Sequence, residues 1–137
     1  MDINIPIGSQ KERIIVTNSN QTTSFLWKGE NVLSTPSMIS EIEETCRLLL
    51  KDLLNNEKLD SVGTLVNIRH LAATPVGFQI TIKARIIQVN ARRILFQISA
   101  HDGLDQIGDG KHERFIINVS DFRSKFEDKK KKLLDMK

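Results

Sequence analysis

Three polar side chains occupy unusual positions in the sequence pattern. Two lie on or beside apolar faces, and the third lies at the start of a helix. Glu43 lies at the edge of an apolar helical stripe, Thr35 lies at the start of that helix, and His70 continues the apolar face of a strand. A carboxylate beside buried apolar side chains is partly dehydrated, which suits it to general-base chemistry. A glutamate at the rim that reaches water fits the same pattern, so periodicity leaves both interpretations open.

Thr35 and His70 also have ordinary structural explanations. A hydroxyl at a helix start commonly caps free backbone N–H groups, and the same position concentrates partial positive charge that favours a developing anion. A lone histidine on an apolar strand face is usually a core residue with a satisfied hydrogen bond. The pattern alone therefore does not decide between catalysis and structure at either position.

Other common kinds of active site lack their motifs in this sequence. There is no G-x-S-x-G elbow, no P-loop and no dinucleotide-binding glycine fingerprint. His101 and His112 have no metal-like spacing to His70, so we expect no metal site. The single cysteine, Cys46, excludes an internal disulfide and favours a reducing, cytoplasmic setting. It lies inside the apolar stripe, where a thiol is more often inert than nucleophilic.

One helix and a series of strands must position these residues. Apolar residues recur at helical spacing through residues 36–55, with Pro36 at the first helical position and Thr35 at the N-cap. A short strand at residues 13–17 precedes this helix, and four alternating segments joined by tight turns follow it between residues 61 and 119. The sequence therefore predicts an α+β fold, with an antiparallel sheet and one long central helix.

The alternation also predicts which strand residues face the core. On the first of the four strands the predicted set is Val62, Thr64, Val66, Ile68 and His70. On the second strand the set runs from Phe78 to Ile86, and on the third from Ile94 to Ala100. We expect a loop containing residues 108–110, followed by a last strand with Phe115, Ile117 and Val119.

Length and charge limit the organisation and the partners. The 137 residues fit one domain at residues 1–120, followed by a basic C-terminal tail or helix at residues 121–137. The tail carries the whole net charge of +3, because the basic and acidic residues of the rest balance. Nucleic acid is therefore an unlikely partner of the body, although the lysine run 129–132 keeps it as an alternative. No long apolar run or signal peptide is recognisable, so we expect no membrane partner.

Over residues 32–119 the sequence resembles the hot-dog-fold thioesterases of the fluoroacetyl-CoA thioesterase-like family. The matching segments are residues 32–39 running into Glu43, residues 62–64, residues 69–77, residues 99–103 and residues 107–114. The resemblance implies a hot-dog fold, in which an antiparallel sheet wraps around one long central helix. It also implies a catalytic set of Thr35, Glu43 and His70, with Gly63 beside the acyl group and Arg114 as a substrate-binding arginine of the last strand.

The resemblance further implies a homodimer, or a higher oligomer, with active sites at the subunit interface. The activity it implies is hydrolysis of a short-chain acyl-CoA, in which coenzyme A is part of the substrate and no cofactor is needed. Arg69 is a candidate for binding the CoA phosphates, and a plain surface role fits it equally well. A non-catalytic acyl-CoA-binding module and a hot-dog dehydratase remain alternatives. Gly29 stands where fluoroacetyl-CoA-hydrolysing members carry a phenylalanine lid, which makes a dedicated fluoroacetyl-CoA activity doubtful.

Overall fold

Five antiparallel strands and two helices make up the computed structural model, which describes residues 3–137. In chain order they are β1 (Gln10–Val16), α1 (Thr35–Leu54), β2 (Leu59–His70), β3 (Gln79–Asn90), β4 (Arg93–His101), β5 (Gln106–Asn118) and α2 (Val119–Asp135). The strands form one sheet in the order β1-β3-β4-β5-β2. This leaves β1 and β2 at the two edges. The predicted α+β class, with an antiparallel sheet and one long central helix, is confirmed.

Helix α1 packs its apolar stripe against the concave face of the sheet. The fully buried side chains of the stripe include Met38, Ile42 and Cys46. Alternate residues of β3 and β4 meet them, which are Ile80, Ile82, Ala84, Ile86, Ile94, Phe96, Ile98 and Ala100. Burial of these side chains is the main stabilising contribution to the fold and fixes the position of α1 on the sheet.

The start of α1 differs by one residue from the prediction. Ser34, rather than Thr35, is the N-cap, and its side chain accepts a hydrogen bond from the backbone N–H of Ser37. Helix α1 therefore begins at Thr35, and Pro36 occupies its second position. Ser34 and Thr35 are both good capping residues, so the sequence alone does not choose between them. Because Ser34 provides the cap, the Thr35 hydroxyl can form a hydrogen bond with another group.

A β-bulge in β2 changes which of its residues face the helix. The register with β5 shifts between Gly63 and Leu65, so Thr64 has no register partner in β5. An extra residue of this kind reverses the alternation beyond it. Val66, Ile68 and His70 therefore share the helix side with Ser61 and Gly63. The prediction that Val62 and Thr64 lie on the same face as His70 is wrong.

Strand β5 is longer than the sequence pattern indicated. Residues 108–110, predicted as loop, belong to the strand and pair with β2. Gly110 adopts a φ of 146°, and a Cβ built there would lie 2.1 Å from the carbonyl oxygen of Asn67. Glycine is needed here for close approach of two strands, not for a turn. The buried face of β5 carries His112, Arg114 and Ile116, the opposite face from the one predicted.

Two further residues predicted in the core, Phe78 and Val119, lie outside it. Phe78 is 61% exposed because it precedes β3, and Val119 is 45% exposed because α2 begins there. Helix α2 follows β5 directly, is capped by the side chain of Asn118, and has no buried residue. Among the described residues, neither helix is both long and apolar enough to cross a membrane.

Candidate active site

Thr35 and His70 meet at one end of the molecule. Thr35 is the first residue of α1, His70 is the last residue of β2, and Thr35 Oγ1 lies 2.7 Å from His70 Nδ1. His70 Nε2 is buried and has no hydrogen-bond partner. Burial lowers the pKa of His70 from its ordinary value, so the neutral imidazole is favoured. A hydroxyl beside a neutral imidazole is the usual arrangement of an activated nucleophile and its base.

The backbone at the start of α1 offers one free donor near this pair. Pro36 has no N–H, and Ser34 caps the N–H of Ser37. Among the described residues, the N–H of Thr35 donates to no other group. This donor lies at the positive end of the helix dipole, where it could stabilise a negatively charged oxygen.

Glu43 lies away from Thr35 and His70 in the same chain. Eight residues at the rise of an α-helix put it about 12 Å further along α1 than Thr35. Its carboxylate faces Gly63: a Cβ built on this glycine would lie 3.0 Å from Glu43 Oε1 and 3.1 Å from His112 Cε1. One chain therefore brings Thr35 to His70, and Glu43 to Gly63, but does not bring these two groups together.

Arg114 and His112 form a buried hydrogen-bonded chain beside Glu43. Arg114 is 6% exposed and donates to the Ser61 hydroxyl and carbonyl, both at 2.7 Å. His112 Nδ1 lies 2.8 Å from the carbonyl oxygen of Leu65, which only accepts, so Nδ1 carries the proton. His112 Nε2 is then free to accept from Arg114 Nη1 at 3.2 Å. The bulged strand β2 and strand β5 together hold the guanidinium in place.

Two buried basic side chains, Arg114 and His112, mark this end of the site. Burial lowers the pKa of His112 and that of Arg114, and the charge of Glu43 partly opposes the effect at both. Among residues 3–137, Arg114 forms no ion pair within 4.0 Å. A buried guanidinium with no carboxylate within 4.0 Å can receive an anionic group of a ligand as well as the charge of Glu43. Burial raises the pKa of Cys46 to about 12, which keeps the nearby thiol inert.

His112 is the site residue that sequence reasoning missed. The sequence pattern gives it no role beyond its lack of metal-like spacing, although it alternates with Arg114 and Ile116 on the buried face of β5. Across the described residues, no group of three or more His, Cys, Asp or Glu side chains is placed to hold a metal ion. Arg69 points away from these groups: its side chain is 77% exposed and lies 3.5 Å from Asp109.

A loop before α1 carries two exposed aromatic rings. Glu30 closes this loop, since its carboxylate accepts hydrogen bonds from the Thr23 hydroxyl and the backbone N–H of Leu26. Phe25 is 80% exposed and Trp27 is 60% exposed. Gly29 has a φ of 77°, and a Cβ there would meet nothing within 4 Å. Gly29, which the resemblance aligns with a phenylalanine lid, therefore has open space around it.

Comparison with known proteins identifies the family. The sequence profile described as fluoroacetyl-CoA-specific thioesterase matches residues 16–120. The chain belongs to this family. It is 37% identical over 98 residues to the fluoroacetyl-CoA thioesterase of Streptantibioticus cattleyicolor, which covers 72% of this chain and 70% of that protein. Membership makes the protein a thioester hydrolase, as the resemblance implied.

Solved structures of other family and superfamily members confirm the fold. A structure of a fluoroacetyl-CoA thioesterase superimposes with a TM-score of 0.84 at 29% identity, over 92% of this chain and 98% of that one. A thioesterase superfamily protein of Thermus thermophilus superimposes with a TM-score of 0.85 at 25% identity, over 96% and 98% of the two chains. The hot-dog fold expected from the sequence is therefore shared with thioesterases along nearly the whole chain.

Proposed function

We propose that this protein hydrolyses short-chain acyl-CoA thioesters to the free acid and coenzyme A, in active sites shared by the two protomers of a homodimer. The observation that carries the proposal is the 2.7 Å contact of Thr35 with His70, together with the separate position of Glu43 in the same chain. Each chain contributes Thr35 and His70 to one active site of the dimer and Glu43 to the other. No cofactor is required, since coenzyme A arrives with the substrate.

The free edge of β2 supports such a dimer. β2 is twelve residues long, lies at the end of the sheet, and exposes residues 63–67. Leu65 and Val66 are 46% and 44% exposed. A long apolar strand edge is a ready template for pairing with another strand. Pairing of two β2 strands across a twofold axis would join the two sheets into one.

The register of this pairing would complete the site. With the axis near Val66, the two β2 strands run antiparallel. Because Thr64 is the extra residue of the bulge, His70, four residues after the axis, then faces Ser61 of the partner subunit on the same side of the sheet. Opposite residues of antiparallel strands lie about 5 Å apart at their Cα atoms. The partner's Gly63 lies on this side two residues after Ser61, so the partner's Glu43, which faces Gly63, would come close to Thr35 and His70.

The chemistry then follows in two steps. Thr35 Oγ attacks the thioester carbon while His70 Nδ1 takes the hydroxyl proton. The C–S bond breaks, and the CoA thiolate leaves with that proton. Water next attacks the acyl-threonine, and Glu43 of the partner subunit accepts a proton from it. The C–O bond to Thr35 then breaks, the proton held by Glu43 passes to the Thr35 oxygen, and the free acid departs.

Substrate recognition is assigned to residues around the acyl group and along the CoA chain. Gly63 leaves room for the acyl group beside Glu43, and Arg114 supplies a buried positive charge behind it. The exposed guanidinium of Arg69, close in sequence to His70, is available for the CoA phosphates. Because Gly29 leaves the lid position open, we propose a general short-chain acyl-CoA rather than fluoroacetyl-CoA alone. The lone, buried thiol of Cys46 fits a cytoplasmic setting.

A thiol-release assay across acetyl-, butyryl-, hexanoyl- and aromatic acyl-CoAs tests the activity. We expect turnover that is highest with the short acyl chains and is lost in Thr35→Ala and Glu43→Gln. Binding of acyl-CoA without thiol release by the unmodified protein would instead indicate a binding module. Hydration of an enoyl chain without thiol release would indicate a dehydratase.

Mixing two inactive variants tests the shared site. A hybrid dimer of Thr35→Ala and Glu43→Gln chains keeps one intact site, so random mixing should restore about a quarter of the normal activity. A site formed within one chain predicts no recovery. As the control, Thr35→Ala mixed with His70→Ala should stay inactive, because both changes fall in the same half-site.

A further inference from the structure

Helix α2 presents an apolar stripe that the rest of the chain partly covers only at its first turns. Val119, Phe122, Phe126 and Leu133 are between 44% and 57% exposed, and α2 has no buried residue. Their spacing of three, four and seven residues places them on one side of a helix with 3.6 residues per turn. The stripe continues through Met136, which is 80% exposed.

The charged residues of α2 are sorted around this stripe. Arg123, Lys125, Lys129 and Lys130 lie within about 80° of its centre, on both flanks. Three aspartates at seven-residue spacing share the opposite side, which are Asp121, Asp128 and Asp135. A surface that receives the stripe would therefore meet positive charge on both sides of it, while the negative charge points away.

We propose that α2 docks flat on an anionic lipid surface, with the apolar stripe in the acyl region and the flanking cations on the lipid phosphates. Basic amphipathic helices with aromatic residues on the apolar face bind membranes in this way. A helix that lies on a membrane needs neither the length nor the apolarity of a spanning segment. The proposal departs here from the expectation, made from the sequence, that the protein has no membrane partner.

The charges of α2 oppose pairing with a second copy of itself. If the stripe were the core of a coiled coil, its residues would occupy the two apolar positions of each seven-residue repeat. The positions next to this core would then hold Arg123, Lys125, Lys130 and Lys132. Two copies would bring these cations against each other. Lys129 falls at the seam itself, where a charge is unfavourable. At a lipid surface its aliphatic stem can lie along the acyl chains while the ammonium reaches a phosphate.

The position of α2 leaves the proposed active site open. Its first turns lie over the outer face of the sheet, where Phe122 borders a groove with Val62, Thr64 and Phe115. Helix α1, with Thr35 and Glu43, lies on the opposite face. Docking through α2 would therefore keep the substrate side of the protein away from the lipid.

Co-sedimentation of the full-length protein with lipid vesicles tests the proposal. We expect binding to phosphatidylcholine vesicles that contain phosphatidylserine, little binding to phosphatidylcholine alone, and weakening by salt. Lys130→Glu should reduce the affinity about tenfold. Lys131→Glu makes the same charge change on the far side of α2 and should alter the affinity by less than about twofold. Phe126→Ser should weaken binding as strongly as Lys130→Glu.

Three results would overturn the proposal. The unmodified protein could fail to sediment with anionic vesicles. Lys130→Glu and Lys131→Glu could weaken binding equally, which would indicate diffuse attraction without an oriented stripe. Phe126→Ser could lower the oligomeric state measured by light scattering, which would show that the stripe covers a second copy. Circular dichroism checks that each variant is folded. Because sedimentation measures lipid binding directly, the test does not depend on the thioesterase activity.

Discussion

Gly63 lies where any side chain would contact Glu43, the proposed base, and His112 beside it. An added Cβ would lie 3.0 Å from Glu43 Oε1 and 3.1 Å from His112 Cε1. The carboxylate can yield by rotation, so we expect Gly63→Ala to fold normally and to lose about tenfold in kcat through a displaced Glu43. Val62→Ala, one residue earlier on the outer face, is the control and should keep its kcat. Steady-state kinetics with acetyl-CoA would contradict this if both variants behaved alike.

The protonation state of His70 should set the acid limb of activity. Its Nδ1 must hold a lone pair to accept the Thr35 proton, and burial lowers the pKa of His70 below its ordinary 6.5. As the pH falls, the neutral imidazole therefore persists to more acidic values than in a free histidine. We expect the acid limb of kcat/KM to have its midpoint below pH 6.5. A profile of kcat/KM against pH with a midpoint at or above 6.5 would exclude His70 as the base.

His112 should make the stability of the fold depend on pH in a defined direction. Burial lowers its pKa in the folded chain below 6.5, whereas the unfolded chain takes up a proton at the ordinary value. Between these two values the unfolded state binds more protons, so the free energy of unfolding falls as the pH drops below about 6.5. Above that pH the contribution is complete and constant. Urea unfolding from pH 5 to pH 8 should show a smaller decline in His112→Gln than in the unmodified protein.

At the scale of the elements, the approach of β5 to β2 depends on one glycine. Gly110 has a φ of 146°, and a Cβ there would overlap the carbonyl oxygen of Asn67 at 2.1 Å. The clash is with backbone, so the strands must separate. We expect Gly110→Ala to lower the free energy of unfolding by about 3 kcal/mol or to prevent folding. Lys111→Ala, at an exposed neighbouring position, is the matched control, and equal melting temperatures for the two would contradict the argument.

The same elements show how far the sequence could carry the fold. The stripe of α1 was predictable, because its residues interact with near neighbours at a fixed period. The bulge at Thr64 was not, because it depends on which residues of β5 lie opposite. The sequence predicts a loop at residues 108–110, because glycine usually marks turns. The need for Gly110 comes instead from its close approach to Asn67, which lies on a strand distant in sequence.

The site was predictable only in part, for a related reason. Family resemblance named Thr35, Glu43 and His70, and the contact of Thr35 with His70 agrees with that grouping. The sequence could not show that Glu43 lies about two helical turns away from Thr35. The sequence did not place His112 in the site, because the alternation of β5 predicts the opposite face of the strand as buried.

At the scale of the whole molecule, activity should depend on two β2 edges meeting. Leu65 is 46% exposed on the outer face of this edge, and pairs in register with Glu113 rather than with a core residue. Near the proposed twofold axis, two copies of Leu65 would be close neighbours. Leu65→Glu should then set two carboxylates against each other and shift the protein toward monomers, with at least about a tenfold loss of activity at low concentration.

Charge complementation would separate this effect from simple damage to the strand. Leu65→Lys alone should also dissociate, because it places two ammonium groups across the same axis. An equimolar mixture of the Glu and Lys variants should form hybrid dimers and recover most of the activity, since the opposite charges then attract. Light scattering gives the mass of each sample, and thiol release gives its activity. A Leu65→Glu protein that stays dimeric and fully active would place the subunit interface elsewhere, and Glu43 would then need another route to Thr35.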